Sequence, residues 1–359
     1  MKNSWVIVGL FAFLVHVAPA FCEDVTIGAI FPLSGKAAYI GEACQNGITM
    51  AIDSLPEADR SRIHVMYEDD QLVPKNTVSA FQKLAASGKV NAVLTLSSAT
   101  SKAIAPLADA RRIPVLAIAS DPAIVKNKKY VFNLWVTPET QVQLMLERLK
   151  SLGIKKIARI YSEHDAILAY VEAFDRLNSG DFSIVLDDPY STESRDFKPF
   201  LTKLKQRSDV DAIFAEVFFG QAGLFAKQAR DLGITLPLFN IESFEDPNEL
   251  KASEGALAGN WYIQADDPQA DFLSAYQAKF PDKSYYSSAN CYDAIGLLAK
   301  ASSEGSSTSP EGLRDYLASV KDYRGALGTF SATGDNRYSL PATVKLVTES
   351  GFQKLDNQG

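Results

Sequence analysis

The chain is poor in the residues that most enzymes rely on. Among its 359 residues there are three histidines and three cysteines, and HExxH, GxSxG, Walker A and GxGxxG are all absent. Metalloprotease, serine-hydrolase and nucleotide-binding readings therefore lack their usual residues. Three cysteines are too few, and odd in number, for a disulfide scaffold, so the core must come from packing. With 21 glycines and 16 prolines the chain is neither collagen-like nor of low complexity. Basic residues are outnumbered, 36 Lys and Arg against 43 Asp and Glu for a net charge of -7, which would repel a phosphate backbone and makes nucleic acid a poor partner. Beyond residue 20 no stretch approaches the roughly 18 uninterrupted apolar residues of a membrane helix.

What is present is a hydrophobic content of 47% over a length greater than one core usually serves. Cores stop growing at roughly 250–300 residues, so two folded units are expected. Residues 1–20 read as an export signal: Lys2, an apolar run over 5–15, and a small-x-small cleavage site at Ala18-Pro19-Ala20. Removing them leaves a soluble, exported chain. Cys22 raises a lipid anchor as a lesser reading, since Phe21 stands where a lipobox takes a small residue. Cys44 and Cys291 lie near the starts of expected helices. A bridge between them and a pair of buried thiols both remain open.

From residue 25 short β-branched runs alternate with amphipathic stretches, the rhythm of parallel sheets covered by helices. Strands are expected at 25–31, 63–67, 92–96 and 115–119, with helical spacing at 40–55, 78–87 and 100–110. A second series follows a helix opened by Thr137-Pro138. Its strands fall at 156–161, 183–186, 212–215, 236–240 and 257–263, its helices at 166–177, 197–206 and 221–232. Helix-rich sequence then covers 270–300 and 313–320.

In such sheets ligands collect at the carboxyl ends of strands. The first strand runs into a Ser34-Gly35 turn followed by Tyr39, Ile40 and Gly41. The third ends in Ser97-Ser98-Ala99-Thr100, hydroxyls beside a helix N-terminus, which suits a carboxylate as well as simple capping. The fourth ends in Ser120-Asp121-Pro122. Glu68-Asp69-Asp70 does not supply the six to eight oxygens of a calcium site and reads as a capping, solvated turn. His64, at an alternating strand position, reads as structural.

Taken in order, these segments resemble the Leu/Ile/Val-binding family of type I periplasmic solute-binding proteins, the receptors of ATP-driven importers. The resemblance rests on 27–35 with Gly41, Tyr67-Glu68-Asp69-Asp70-Gln71 with Pro74, 97–100, Ile113-Pro114-Val115, 228–233, Glu254-Gly255-Ala256 with Gly259, and Tyr292-Asp293-Ala294, and spans residues 24–350. It implies an α/β fold of two doubly wound, Rossmann-like lobes joined by three crossover segments near Val136, Ala265 and Ser339. Lobe one would comprise 24–136 plus 266–338, and lobe two 137–265 plus 339–359.

The resemblance also implies a cleft that closes on a small polar ligand, an amino acid or related carboxylate or amide. Ser97, Ser98, Ser120 and Asp121 would form the first-lobe wall, with Tyr39 and Ile40 covering the ligand. From the second lobe, His164 or Asp165 stands where relatives often carry an aromatic. Phe218 matches a cleft aromatic, and Glu242, with Glu216 as rival, matches the acid that receives an ammonium group. Asp121 replaces a common threonine. The implied protein is a periplasmic, monomeric receptor without cofactor or metal, handing its ligand to membrane permease subunits of an ABC importer. A sensory module signalling to a membrane receptor shares the same fold. An exported enzyme using Asp165 with His164, or Glu216, lacks an activated nucleophile.

Overall fold

The structure, a computed structural model, describes residues 24–303 and 308–355, so the candidate signal at 1–20 and Cys22 lie outside the described residues. Two sheets organise it. The first contains β1 (Val25–Phe31), β2 (Ile63–Asp69), β3 (Ala92–Leu96), β4 (Val115–Ile118) and β5 (Val131–Asn133), all parallel, in the order β2-β1-β3-β4-β5. The chain then builds β6 (Lys156–Ser162), β7 (Ser183–Tyr190), β8 (Ala212–Glu216), β9 (Leu238–Ile241) and β10 (Trp261–Ala265). A small hairpin of β11 (Tyr323–Gly325) and β12 (Gly328–Phe330) precedes β13 (Ala342–Val347) and β14 (Phe352–Lys354). The second sheet runs β14-β13-β10-β9-β8-β6-β7, parallel from β7 to β10, with β13 and β14 added antiparallel.

The strand sequences explain the layers. β1 is almost wholly buried and is flanked on both sides, as a near-continuous apolar run in a parallel sheet should be. Its alternate residues serve two cores. Ile27, Ala29 and Phe31 pack with the helices Ala38–Ser54 and Ser288–Ser303, while Ile30 faces the helices Pro74–Ala86 and Ser98–Arg111. In the second sheet Ala158 and Ile160 pack with Lys198–Lys205 and Ala222–Asp231, and Ile157 with Pro138–Ser151 and Asp165–Leu177. Chain passages between the sheets follow β5, follow β10 and precede β13. After the second passage the helix Ala270–Lys279 packs back on the first lobe, with Phe272 and Tyr276 beside Met50.

Several elements differ in extent from the sequence expectation. β7 continues to Tyr190 because it is an edge strand whose half-exposed residues alternate with Asp187 and Asp188, which blurs its apolar signal. β10 starts at Trp261, not at 257, since Gly255 and Gly259 take positive φ of 87° and 82° and hold the preceding residues in turns. β13 and β14 carry no counterpart among the expected strands.

Cys44 and Cys291 are bonded, with Cα atoms 5.3 Å apart, joining helices 247 residues apart in sequence. One turn further on, Gly47 lets these helices approach: a Cβ there would collide with the Ser288 backbone carbonyl.

Asp293, on the same helix, is fully buried and accepts the N–H groups of Ala326 (2.7 Å) and Leu327 (2.8 Å), fixing the hairpin turn. Burial pushes its carboxyl up to about 7, against the pull of these two donors. An acid raised on folding makes the folded chain hold more protons than the unfolded one between the two pKa values, so stability falls as pH rises through that window. Glu216, Glu242, Glu249 and Asp70 are raised in the same sense by burial. Urea unfolding from pH 5 to pH 8 should therefore show declining stability, by up to about 1.4 kcal/mol per pH unit for each retained proton. Flat or rising stability over this range would contradict the assignment.

Candidate functional site

The carboxyl ends of both sheets converge on one cavity of about 210 Å³. This is below the roughly 300–1,000 Å³ of pockets that take drug-sized ligands and suits a smaller solute. From the first lobe come Ser97 and Ser98 after β3, Ser120 after β4, and Ile40 from the start of the first helix. From the second come His164 after β6, Glu216, Val217 and Phe218 at the end of β8, and Glu242 with Ser243 after β9. Trp135, in the first passage between lobes, and Tyr286 complete the wall. The lining is mostly apolar. Among the described residues it includes two carboxyl side chains and no Lys or Arg.

Four non-glycine residues of the cavity lining adopt left-handed φ: Leu72 at 57°, Ser97 at 71°, Glu242 at 65° and Ser287 at 63°. With ψ at 148°, Ser97 lies in a region otherwise left almost entirely to glycine, a strain of about 1–3 kcal/mol. Its side chain makes no capping bond to the Ser98–Arg111 helix, which leaves the first N–H groups of that helix available at the cavity. Ser98 Oγ accepts the N–H of Asp121 at 3.1 Å and so joins the two strand ends.

Glu242 is the most heavily bonded group. Its Oε1 accepts from Trp135 Nε1 at 2.8 Å and Gln141 Nε2 at 3.2 Å, and its Oε2 from Ser120 Oγ at 3.3 Å across the lobes. Burial raises its carboxyl, and these neutral donors pull it partly back. Glu216 Oε2 accepts from Ile241 N at 2.8 Å and Asn240 Nδ2 at 3.1 Å. Burial holds this carboxyl well above the usual range, opposed by the Ile241 bond and reinforced by Glu242. The Tyr170 hydroxyl lies beside Ser120 and Glu242 but makes no well-aligned hydrogen bond to either.

His164 Nδ1 accepts the N–H of Ala166 at 3.3 Å, so the neutral ring carries its proton on Nε2. Burial lowers its pKa, against the opposing pull of Asp165 and Asp121, which favours that neutral form. The ring packs on Phe218 with centroids 4.6 Å apart, and Trp135 lies 6.0 Å from Tyr286 on the other wall.

Of the residues singled out in the sequence, Ile40, Ser97, Ser98, Ser120, His164, Phe218 and Glu242 are brought together at the cavity, as is the rival Glu216. Tyr39, Asp121 and Asp165 are not among its lining. Tyr39 is 49% exposed. Asp121 caps the turn at Pro122–Val125 through Ala123 N (2.8 Å), and its other oxygen lies 3.3 Å from Lys102 Nζ. Asp165 lies 3.0 Å from the same ammonium. These two acids neutralise Lys102, whose position between them could not be read from sequence. Trp135, Gln141, Tyr170 and Tyr286 were missed. Only Trp135 carried a signal, being an aromatic beside the expected crossing at Val136; Gln141 and Tyr170 look like ordinary core residues of helices, and Tyr286 lies in the turn before the helix Ser288–Ser303.

Two wound lobes enclosing a solute-sized chamber at their strand ends define a solute-binding receptor. Residues 24–350 match the family described as periplasmic binding protein, and the chain belongs to that family. The Leu/Ile/Val-binding protein BraC3 of Rhizobium johnstonii is 25% identical over 336 residues, covering 89% of this chain and 90% of its own. Among solved structures, a leucine-binding protein LivK from Thermotoga maritima superposes with a TM-score of 0.83 at 20% identity, over 92% of this chain and 98% of its own. A solute-binding protein of an ABC transporter from R. palustris, in complex with 4-hydroxybenzoate, gives 0.81 at 19%, over 94% and 98%. The family and these relatives are solute-binding proteins and not enzymes. Its members are periplasmic or extracytoplasmic, and no helix of the described residues is long and apolar enough to cross a membrane.

Proposed function

We propose that the protein captures a small solute with a protonated amino group and an apolar body, an α-amino acid or close relative, between its lobes and delivers it to an ABC importer. The observation that carries this reading is the split of the cavity's polar groups. Serine hydroxyls and a free helix N-terminus face it from the first lobe, and the buried Glu242 carboxyl from the second, with apolar walls between. A zwitterion pays desolvation at both ends unless both are paired, and this arrangement supplies donors for the carboxylate and an acid for the ammonium. An aromatic carboxylate of the kind held by the R. palustris protein would bring a third carboxyl group, and no cation, to a chamber that already has two acids. The name of the R. johnstonii relative supports the amino-acid class.

Because each lobe holds part of the set, the closed form gains contacts that an open form lacks, and ligand would shift a hinge equilibrium toward closure. The lobes taken to move are 24–136 plus 266–338 and 137–265 plus 339–359, acting as a monomer in the periplasm after loss of residues 1–20. A thermal-shift screen tests the class. At a hundredfold excess over Kd, binding adds about 2.7 kcal/mol of stability, so leucine, isoleucine, valine, aromatic or basic amino acids should include at least one that raises the melting temperature. Stabilisation by benzoates alone would overturn the reading.

Lys102 spans the lobes at the cavity's edge through Asp165. An exposed pair of this kind contributes about 0.2–1 kcal/mol. Asp165→Asn should weaken ligand binding by up to about fivefold at low salt, and the difference should fade near 1 M NaCl, where screening reaches about 3 Å. An effect independent of salt would show that the pair is not what acts.

A further inference from the structure

Glu216 is the acid of the cavity that the reading above leaves without a task. It is 1% exposed, and only its Oε2 is held, by Ile241 and Asn240. Its Oε1 has no hydrogen-bond partner among the described residues. Lining the same cavity is a second buried polar group, the Tyr170 hydroxyl, 2% exposed, which sits beside Glu242 and Ser120 without a well-aligned hydrogen bond to either. Tyr170, Glu216 and Glu242 all line the chamber.

The charge balance of these groups follows directly. A buried carboxylate needs a cation or a full set of donors. Glu242 has three neutral donors and, with a zwitterion bound, one ammonium. Glu216 has two donors on one oxygen and nothing on the other. A ligand with a single ammonium pairs with Glu242 alone and leaves Glu216 Oε1 with no cation and no donor. A ligand with a second cationic group gives each acid its own cationic partner and brings N–H donors to Glu216 Oε1 and Tyr170 Oη.

We propose that the cavity takes a small dibasic solute, an amino acid or amine with a second amino or guanidino group, which Glu216 and Tyr170 receive while Glu242 holds the first. This inference rests on the reading of the cavity as a site for ammonium-bearing solutes. The volume of about 210 Å³ sets a short spacer between the two groups.

The test is isothermal titration of matched pairs that differ in the second charge: 2,4-diaminobutyrate with 2-aminobutyrate, ornithine with norvaline, and lysine with norleucine, with arginine added. In the unaltered protein at least one dibasic member should bind about tenfold or more tightly than its uncharged counterpart, as a buried charge-assisted pair provides. In Glu216→Gln, which keeps an oxygen for Ile241 and Asn240, that ratio should collapse toward one, and Tyr170→Phe should reduce it in part. Uncharged members binding as tightly as their dibasic partners in the unaltered protein would overturn this inference and leave the amino-acid reading standing. A preference that survives Glu216→Gln unchanged would overturn the role given to Glu216. If no member of any pair binds, the inference and the reading beneath it fall together.

Discussion

Glu242→Gln is expected to weaken binding of an ammonium-bearing ligand by a hundredfold or more. The substitution keeps the side chain's shape and an oxygen for Trp135 and Gln141, so the wall stays in place. What is lost is the negative charge opposite the ligand's ammonium in a site that excludes water. Truncating one side of such a buried pair costs about 2–5 kcal/mol, much of it from leaving the other charge unpaired. The same change should leave the empty protein at least as stable, because burial already disfavours the Glu242 carboxylate and the glutamine carries no charge to desolvate. The two effects of opposite sense separate a binding role from a folding one. Titration calorimetry with thermal unfolding checks both, and affinity within threefold of the unaltered protein would remove Glu242 from the site.

Removing the Cys44–Cys291 bridge should give the largest loss of stability of any pair of substitutions away from the cavity. The bond closes a loop of 247 residues in sequence. Restricting the unfolded chain over such a span contributes about 2–5 kcal/mol, long loops standing at the upper end. It also joins the helix that begins beside Ile40 to the helix that follows Tyr286, so it braces two parts of the cavity wall. The double variant Cys44→Ala/Cys291→Ala should unfold at clearly lower temperature, and reductant should shift the melting of the unaltered protein in the same direction but leave the variant's in place. Under denaturing, non-reducing conditions two of the three cysteines should resist thiol reagents. Three reactive thiols and a reductant-insensitive melting temperature would contradict the bridge.

The wound architecture was legible because parallel strands buried on both faces read as short apolar runs, as in β1 and β3, and the helices between them keep a clear amphipathic period. Polar groups at strand ends, Ser97, Ser98, Ser120 and Glu242, were visible because the runs stop abruptly at them. Less visible was anything that depends on a partner distant in the chain. Asp121 and Asp165 look like ligand groups until Lys102 is found between them. Tyr170 looks like a core aromatic, because a side chain buried against a cavity and one buried in a core leave the same mark on a helix, and Tyr286 sits in a turn with no period to read. Glu216 was noticed as an acid at a strand end, but its one free oxygen depends on where Asn240 and Ile241 sit in the neighbouring strand.

Native mass spectrometry of the protein as purified from its own compartment, with the released small molecule identified after denaturation, bears most directly on the claim that the chamber selects for protonated nitrogen. The expected result is a bound compound with at least one basic amino group, present with the unaltered protein and lost with Glu242→Gln. A bound carboxylate without basic nitrogen, retained equally by both proteins, would contradict it.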